Sequence, residues 1–278
     1  MMIRKRVLVL ALLATVVAAP AMAGTTTVST GVNYSSGKYG TDTTTDIWYV
    51  PLSVGYNTGK WRFKVTVPYI RISGNGNVVP GVGRVDNRNP LGLGHGRGLL
   101  APGNGGSGTG TTQTGSSSAS GLGDVVAQAS YNLFYDKSSR FGMDLGAKVK
   151  FGTADENKGL GTGQNDYGLN LDAYKGIGNW TLFGGVGYMT YGSSQYIQLD
   201  NGANANVGAS YRFSDHNTLG AYYYYRERIS DSGYAQKELT AYWNHDINKR
   251  LRLQMYALTG FSDGSPDVGG GASLRWSF

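Results

Sequence analysis

Apolar and polar residues alternate through the end of the chain. Ala272, Leu274, Trp276 and Phe278 fall on one face of an extended strand, and Ser273, Arg275 and Ser277 on the other. An apolar face that runs out to the terminal carboxylate, with an aromatic last, is what the closing strand of an outer-membrane β-barrel carries. The period of two recurs upstream. It predicts strands near 25–36, 43–56, 61–73, 122–135, 140–152, 165–175, 179–191, 202–213, 218–229, 235–246, 250–261 and 268–278. Twelve is even, as a single-chain barrel requires if both termini are to lie in the periplasm.

The fifth segment shows the split most clearly. Phe141, Met143, Leu145, Ala147, Val149 and Phe151 would face lipid, while Arg140, Gly142, Asp144, Gly146, Lys148 and Lys150 face inward. Trp61, Phe63, Val65, Val67 and Tyr69 oppose Arg62, Lys64 and Thr66, and Leu251, Leu253, Met255 and Ala257 oppose Arg252, Gln254 and Tyr256. Soluble sheets also alternate; repetition over twelve segments favours a membrane. Connectors alternate in length too. Those at 57–60, 136–139, 176–178, 214–217 and 247–249 are tight, as periplasmic turns should be, and the intervening ones are generally longer. Trp61, Phe141, Trp180, Trp243, Trp276 and Phe278 then all fall at the periplasmic ends as one aromatic girdle.

The beginning of the chain agrees with export. Arg4, Lys5 and Arg6 precede an apolar run from Val7 to Ala19, and Ala21-Met22-Ala23 is a small-residue cleavage site before Gly24. No segment has the roughly 18 apolar residues of a spanning helix. The predicted fold is all-β: a signal peptide over 1–23, then a transmembrane antiparallel up-and-down barrel over 24–278. Its second outer loop, 74–121, is long. The tail of that loop, 101–121, is almost wholly Gly, Ser and Thr and reads as a flexible tether. The first half carries Arg84, Asp86, Arg88, His95 and Arg97; it is either a disordered surface loop or folds back over the mouth.

Composition narrows the functional classes. Gly 44 and Tyr 20 fit many short strands and turns, and Cys 0 removes disulfides, thiol catalysis and cysteine metal sites. The formal charge of +7 includes three leader cations, leaving about +4 on the exported chain, with no basic run that would suit nucleic acid. Some barrels are lipases or acyltransferases, but His95, His216 and His245 have no serine placed to form a triad, so no catalytic residue is assigned. Asp155, Glu156, Asp166, Asp263 and Asp267 read as solvated loop carboxylates without the spacing of a calcium loop, and neither a metal nor a cofactor is expected.

The candidate site is the lumen. The alternation turns inward Arg62, Lys64, Arg140, Lys148, Lys150, Arg212, Arg226, Arg228, Arg250, Arg252 and Arg275, against Asp124, Asp144, Asp172, Glu238 and Asp246. Many of these should pair across strands, because an isolated charge in a narrow bore is costly. The cationic surplus biases the bore toward anions. Tyr49, Tyr174, Tyr222, Tyr224, Tyr242 and Tyr256 join the cations on that face, a combination suited to an aromatic carboxylate or phenolate, although Tyr is also a favoured strand residue. A twelve-stranded bore lies between side-chain-filled eight-stranded barrels and water-filled porins, so it should pass small solutes only or stay closed until something moves.

Pro51 and Pro68 fall mid-strand, where each removes a ladder hydrogen bond. If Asn57 pairs with Lys60, Pro51 faces Thr66 and Pro68 faces Tyr49, which puts both in one patch of wall. The patch is either a pair of bulges that set curvature or a seam through which an apolar solute leaves sideways.

Several stretches carry a family resemblance: Trp61-Arg62-Phe63-Lys64 leading into Val67-Pro68-Tyr69-Ile70-Arg71, Gly121-Leu122-Gly123-Asp124-Val125, Lys150-Phe151-Gly152-Thr153-Ala154, and Gly260-Phe261 through Pro266-Asp267. In these the chain resembles the outer-membrane barrels grouped under the meta-pathway of phenol degradation, found beside aromatic-catabolism genes and elsewhere. The resemblance implies a barrel and a transport role, and it implies no catalytic or binding residues. Two functions remain open: a passive outer-membrane channel for small anionic or aromatic solutes, and a non-conducting structural or surface-interaction barrel shut by its own ion pairs. The expected partners are outer-membrane lipid and lipopolysaccharide, the barrel-assembly machinery engaging the Phe278 strand, and a small solute, with no nucleic acid.

Overall fold

A computed structural model describes residues 24–88 and 117–278 of the chain. The leader, His95, Arg97, Gly92-Leu93-Gly94 and the greater part of the expected tether lie outside the described residues. Fifteen strands are present: β1 (Thr25–Gly37), β2 (Thr45–Thr58), β3 (Trp61–Gly74), β4 (Val78–Val79), β5 (Gly83–Arg84), β6 (Ser117–Leu122), β7 (Val125–Asp136), β8 (Phe141–Phe151), β9 (Asp166–Ile177), β10 (Trp180–Thr190), β11 (Gly202–Ser214), β12 (Asn217–Arg226), β13 (Gln236–Asp246), β14 (Leu251–Gly260) and β15 (Val268–Ser277). All pairings are antiparallel; β1 bonds β15 as well as β2, and β2 bonds β3, so the sheet closes on itself. β6 and β7 form one stave, both lying against β3, and the barrel therefore has twelve staves.

The period of two fixes which face each residue takes. Leu169, Val186 and Val207 stand outward with 63%, 61% and 64% of their surface exposed. Asp144, Thr66 and Thr240 on the opposite parity are buried. Apolar outside and polar inside inverts a water-soluble protein, and only lipid makes such an outer face favourable. Turns at 59–60, 137–140, 178–179, 215–216 and 247–250 join one end, where β1 begins and β15 ends; the other end carries the longer connections. Trp61 stacks on Phe63 and Trp276 on Phe278 at the short-turn end, where Trp180 also packs against Tyr211.

The wall departs from the expected boundaries in three places. The fourth stave begins at Ser117, so residues 117–121, expected in the flexible loop, bond to β3 from Gly74 to Ile70. Their small residues hide the alternation. β12 stops at Arg226, three residues early, because the chain there turns inward to bury Ile229. Gly123 and Asp124 interrupt the fourth stave, and the pairing with β3 slips by one residue between Tyr69↔Leu122 and Thr66↔Val126.

A short hairpin packs across the mouth at the long-loop end. Residues 75–88 leave β3 and fold inward as the small β4–β5 hairpin, one of the two courses open to the loop from sequence. Val79, Val82 and Val85 pack with Ile197, Leu199 and Ile229 of two other loops, and Tyr191 and Tyr196 flank them. Gly74 makes the departure: its φ of 144° suits glycine, and a Cβ there would lie 2.5 Å from the Thr45 backbone. Gly74→Ala is expected to destabilise the join by about 1–3 kcal/mol. Amide exchange at Val82 and Val85 would accelerate while the wall amides stay protected; protection unchanged at both valines would refute the strain.

Candidate functional site

The inward faces of the staves line one lumen, layered from the short-turn end to the cap. The lowest layer is ion-paired. Arg252 Nε lies 2.5 Å from Asp246 Oδ1, and Arg62 Nη2 lies 2.6 Å from Asp144 Oδ2 and 2.9 Å from the Ser130 hydroxyl. Asn132 donates to Asp144 at 2.7 Å, and Asn170 donates to Asp172. Arg212 occupies the inward parity at the same end of β11.

The middle layer is different. Lys64 on β3, Gln128 on β7 and Lys148 on β8 are in register on three neighbouring staves. Arg275 sits opposite Arg252. Among the described residues, no carboxylate lies within ion-pair distance of Lys64, Lys148 or Arg275. Asp246 is already held by Arg252, the register partner of Arg275.

An aromatic arc runs over the staves from β10 to β14, across the barrel from Lys64 and Lys148 and beside the stave of Arg275. Tyr222 lies 6.5 Å from Phe183 and 6.3 Å from Tyr242, ring centre to ring centre, and the Tyr256 hydroxyl donates to Asn33 Oδ1 at 2.9 Å. Glycines make room for the rings: a Cβ at Gly220 would come within 2.4 Å of Tyr242, at Gly142 within 2.3 Å of Tyr174, and at Gly271 within 2.8 Å of Tyr256. The rings therefore lie flat over the wall at these glycines. Tyr224 is the next inward residue above Tyr222, with Glu238 opposite it on β13. Phe183 was overlooked in the sequence although its parity, opposite Leu182, puts it inward.

In the upper layer Lys150 Nζ bridges Asp124 at 3.1 Å and Asp166 at 2.9 Å, and donates to Thr162. Asp166, expected as a solvated loop carboxylate, is 2% exposed and opens β9 instead. The sequence reading also missed three apolar inward residues, Ile47, Ile70 and Ile72, which pack with Leu160 and Ala154 of the 152–165 loop. Outside the wall, burial pushes the Tyr39 phenol up to about 12 and raises that of Tyr191, so both stay neutral beneath the cap.

Three expectations are corrected and one gains its partners. Arg140 sits in a turn at φ 52° and donates to the Gly178 carbonyl at 2.7 Å, so it belongs to the rim. Arg228 lies beyond the end of β12, exposed, because the strand has already turned. Arg226 does point inward, but it holds the cap. Pro51 faces Pro68 directly, since Thr58 pairs with Trp61 and Asn57 with Arg62. The two imide nitrogens then point away from one another, which leaves the β2–β3 ladder unbroken and moves the interruptions to its flanks. The β1–β2 register skips Gly31 and Val32 beside Pro51, and the β3 register skips Val67 and Pro68 beside the break at Gly123.

A closed twelve-stave barrel, apolar outside and charged within, with short turns at one end and long loops at the other, is a transmembrane barrel of the outer-membrane type. The chain belongs to the family described as "Putative MetA-pathway of phenol degradation", whose model matches residues 41–278. Among solved structures it is similar to the COG4313 outer membrane channel from Pseudomonas putida F1, with a TM-score of 0.61 at 13% identity over 93% of this chain and 97% of that one. It is also similar to the NanC porin, with a TM-score of 0.53 at 10% identity over 90% of this chain and 98% of that one. No curated protein matches the chain.

Removing one partner of a buried ion pair costs about 3–5 kcal/mol. Lys150→Met should accordingly lower the temperature at which the heat-resistant folded band is lost, and adding Asp124→Asn and Asp166→Asn should restore part of the loss. A single variant as resistant as the parent would show that the bridge adds nothing.

Proposed function

We propose that the barrel lies in the outer membrane with both termini in the periplasm and is a passive channel for small anionic solutes, aromatic carboxylates or phenolates above all. The observation that carries this reading is the set of inward cations with no carboxylate within ion-pair distance among the described residues: Lys64 and Lys148 lie across the barrel from the staves that carry Phe183, Tyr222, Tyr242 and Tyr256, and Arg275 lies on the stave beside Tyr256. Inward cations draw anions into a pore. Aromatic faces on the far wall offer a ring contact to a solute whose charge is held by the cations. His245 bonds Asn217 at the rim and His216 lies in a short turn, so neither is aimed into the bore, and an enzyme reading gains no support from them.

Planar bilayers test the channel. The folded barrel should give discrete current steps with anion preference, and Lys64→Glu, Lys148→Glu and Arg275→Glu together should weaken or reverse that preference while the heat-resistant band survives. Clear cation selectivity in the parent would overturn the anionic-solute reading, and silence at every voltage would favour the non-conducting barrel. Arg62 and Arg252 are poor choices for this test because reversing either would strand Asp144 or Asp246.

The proline patch supports a second exit. The β2–β3 hairpin loses ladder bonds to both neighbours at one height, and Ile47, Ile70 and Ile72 give that side of the lumen an apolar lining toward the cap. A sideways path for an apolar solute would open there. Pro51→Val with Pro68→Val supplies the missing N–H donors and should slow uptake of hydrophobic compounds. Unchanged uptake in a barrel that has only become more stable would leave the prolines as bulges that set curvature.

A further inference from the structure

The hairpin that packs across the mouth is bonded from the far side of the barrel by one charged side chain. Arg226 projects inward at the long-loop end of β12, half a circuit of the wall from β3, where the hairpin begins. Its guanidinium donates through Nη1 to the Gly81 carbonyl at 3.0 Å and through Nη2 to the Val82 carbonyl at 2.6 Å. The residue is 4% exposed, and its Nε has no hydrogen-bond partner. Among the described residues no carboxylate lies within ion-pair distance of it; Glu238, the acid on the neighbouring strand, accepts a hydrogen bond from Gln236 instead.

A buried guanidinium met by two peptide carbonyls and the Tyr191 phenol, with no carboxylate within ion-pair distance among the described residues, is poorly compensated. Hydrogen bonds to a carboxylate are roughly twice as strong as those to a neutral acceptor. The planar fork also matches two carboxylate oxygens at once, and the unused Nε–H adds a donor on one edge of that fork. Tyr224 and Tyr222, the next two inward positions down β12, would lie beneath the ring of an acid bound there.

We propose that Arg226 is a carboxylate-binding latch. The carboxylate of an aromatic acid replaces the Gly81 and Val82 carbonyls on the guanidinium, and the hairpin 78–84 is released from the mouth. The solute does not push through the closed cap. It binds the briefly lifted state, whose Arg226 is free, and draws the population toward it; a molecule with no carboxylate has no such differential affinity. The proposal rests on the channel reading and adds a binding site and an opening mechanism to it.

Single-channel recording with sodium benzoate or benzyl alcohol on the loop side tests the latch. Benzoate should raise the open fraction about tenfold in a saturable way, and benzyl alcohol should leave it unchanged. In Arg226→Gln the open fraction should already be high in plain salt and should no longer respond to benzoate. Equal responses to the two compounds, or a benzoate response that survives Arg226→Gln, would overturn the proposal. Should that variant fail to fold, amide exchange on the parent decides. Benzoate, and not benzyl alcohol, must accelerate exchange at Val82 and Val85, whose amides bond Val79 and Asn77; protection unaltered by benzoate sinks the latch. An anion-selective current indifferent to benzoate removes the latch alone, whereas a cation-selective current removes the channel reading beneath it.

Discussion

In a hydrocarbon setting no water satisfies a stray peptide group, so every N–H and C=O in the wall needs a partner on a neighbouring strand. Pairing of β1 with β15 is the bond on which the rest depends: it turns an open sheet with two unsatisfied edges into a tube with none. Where the ladder does fail, other groups take over. At the break in the fourth stave Gly123 donates to the Pro68 carbonyl at 2.9 Å, Val125 to the Thr153 hydroxyl at 2.9 Å, and Ala154 to Asp124 at 2.9 Å. The polar residues at this interruption repair the backbone. Lys150 then holds Asp124 in place, which ties the upper ion cluster to closure of the wall.

The same constraint divides the interior charges into two kinds. Arg62, Arg252 and Lys150 have carboxylates within reach and tie staves together. Among the described residues Lys64, Lys148 and Arg275 have no carboxylate within ion-pair distance. Glycine placement serves that division: with Gly220, Gly142 and Gly271 beneath them, three tyrosine rings occupy the wall where side chains at those positions would force them toward the axis.

What could be read from the sequence follows from how local the cause is. β8 was plain because each of its faces is uniform over eleven residues, and parity alone then places Asp144, Lys148 and Lys150 inward. β6 was hidden because Ser118, Ala119, Ser120 and Gly121 are small on both faces, and only the partner strand shows that they belong to the wall. The proline pair was misplaced because register depends on how the turn at 59–60 closes, and moving the turn pair from Asn57–Lys60 to Thr58–Trp61 shifts every partner by two residues. Arg226 was correctly turned inward, but its partners lie more than a hundred residues away in sequence and are backbone carbonyls, which no side-chain pattern records.

Cap and wall differ in how they are stabilised, and this difference lets one move without the other. The wall is a continuous hydrogen-bonded cylinder, in which displacing any stave opens two ladders. The hairpin 78–84 belongs to no ladder of the barrel. It is held by six packed aliphatic residues, by Arg226 and by the bond from Arg84 to the Gly40 carbonyl. Lifting it breaks a local cluster and leaves the closure of β1 on β15 untouched. A tube that must stay sealed against lipid thus keeps the part that belongs to none of its ladders at the end where loops are long, and among the described residues the one buried arginine there, Arg226, has uncharged hydrogen-bond partners.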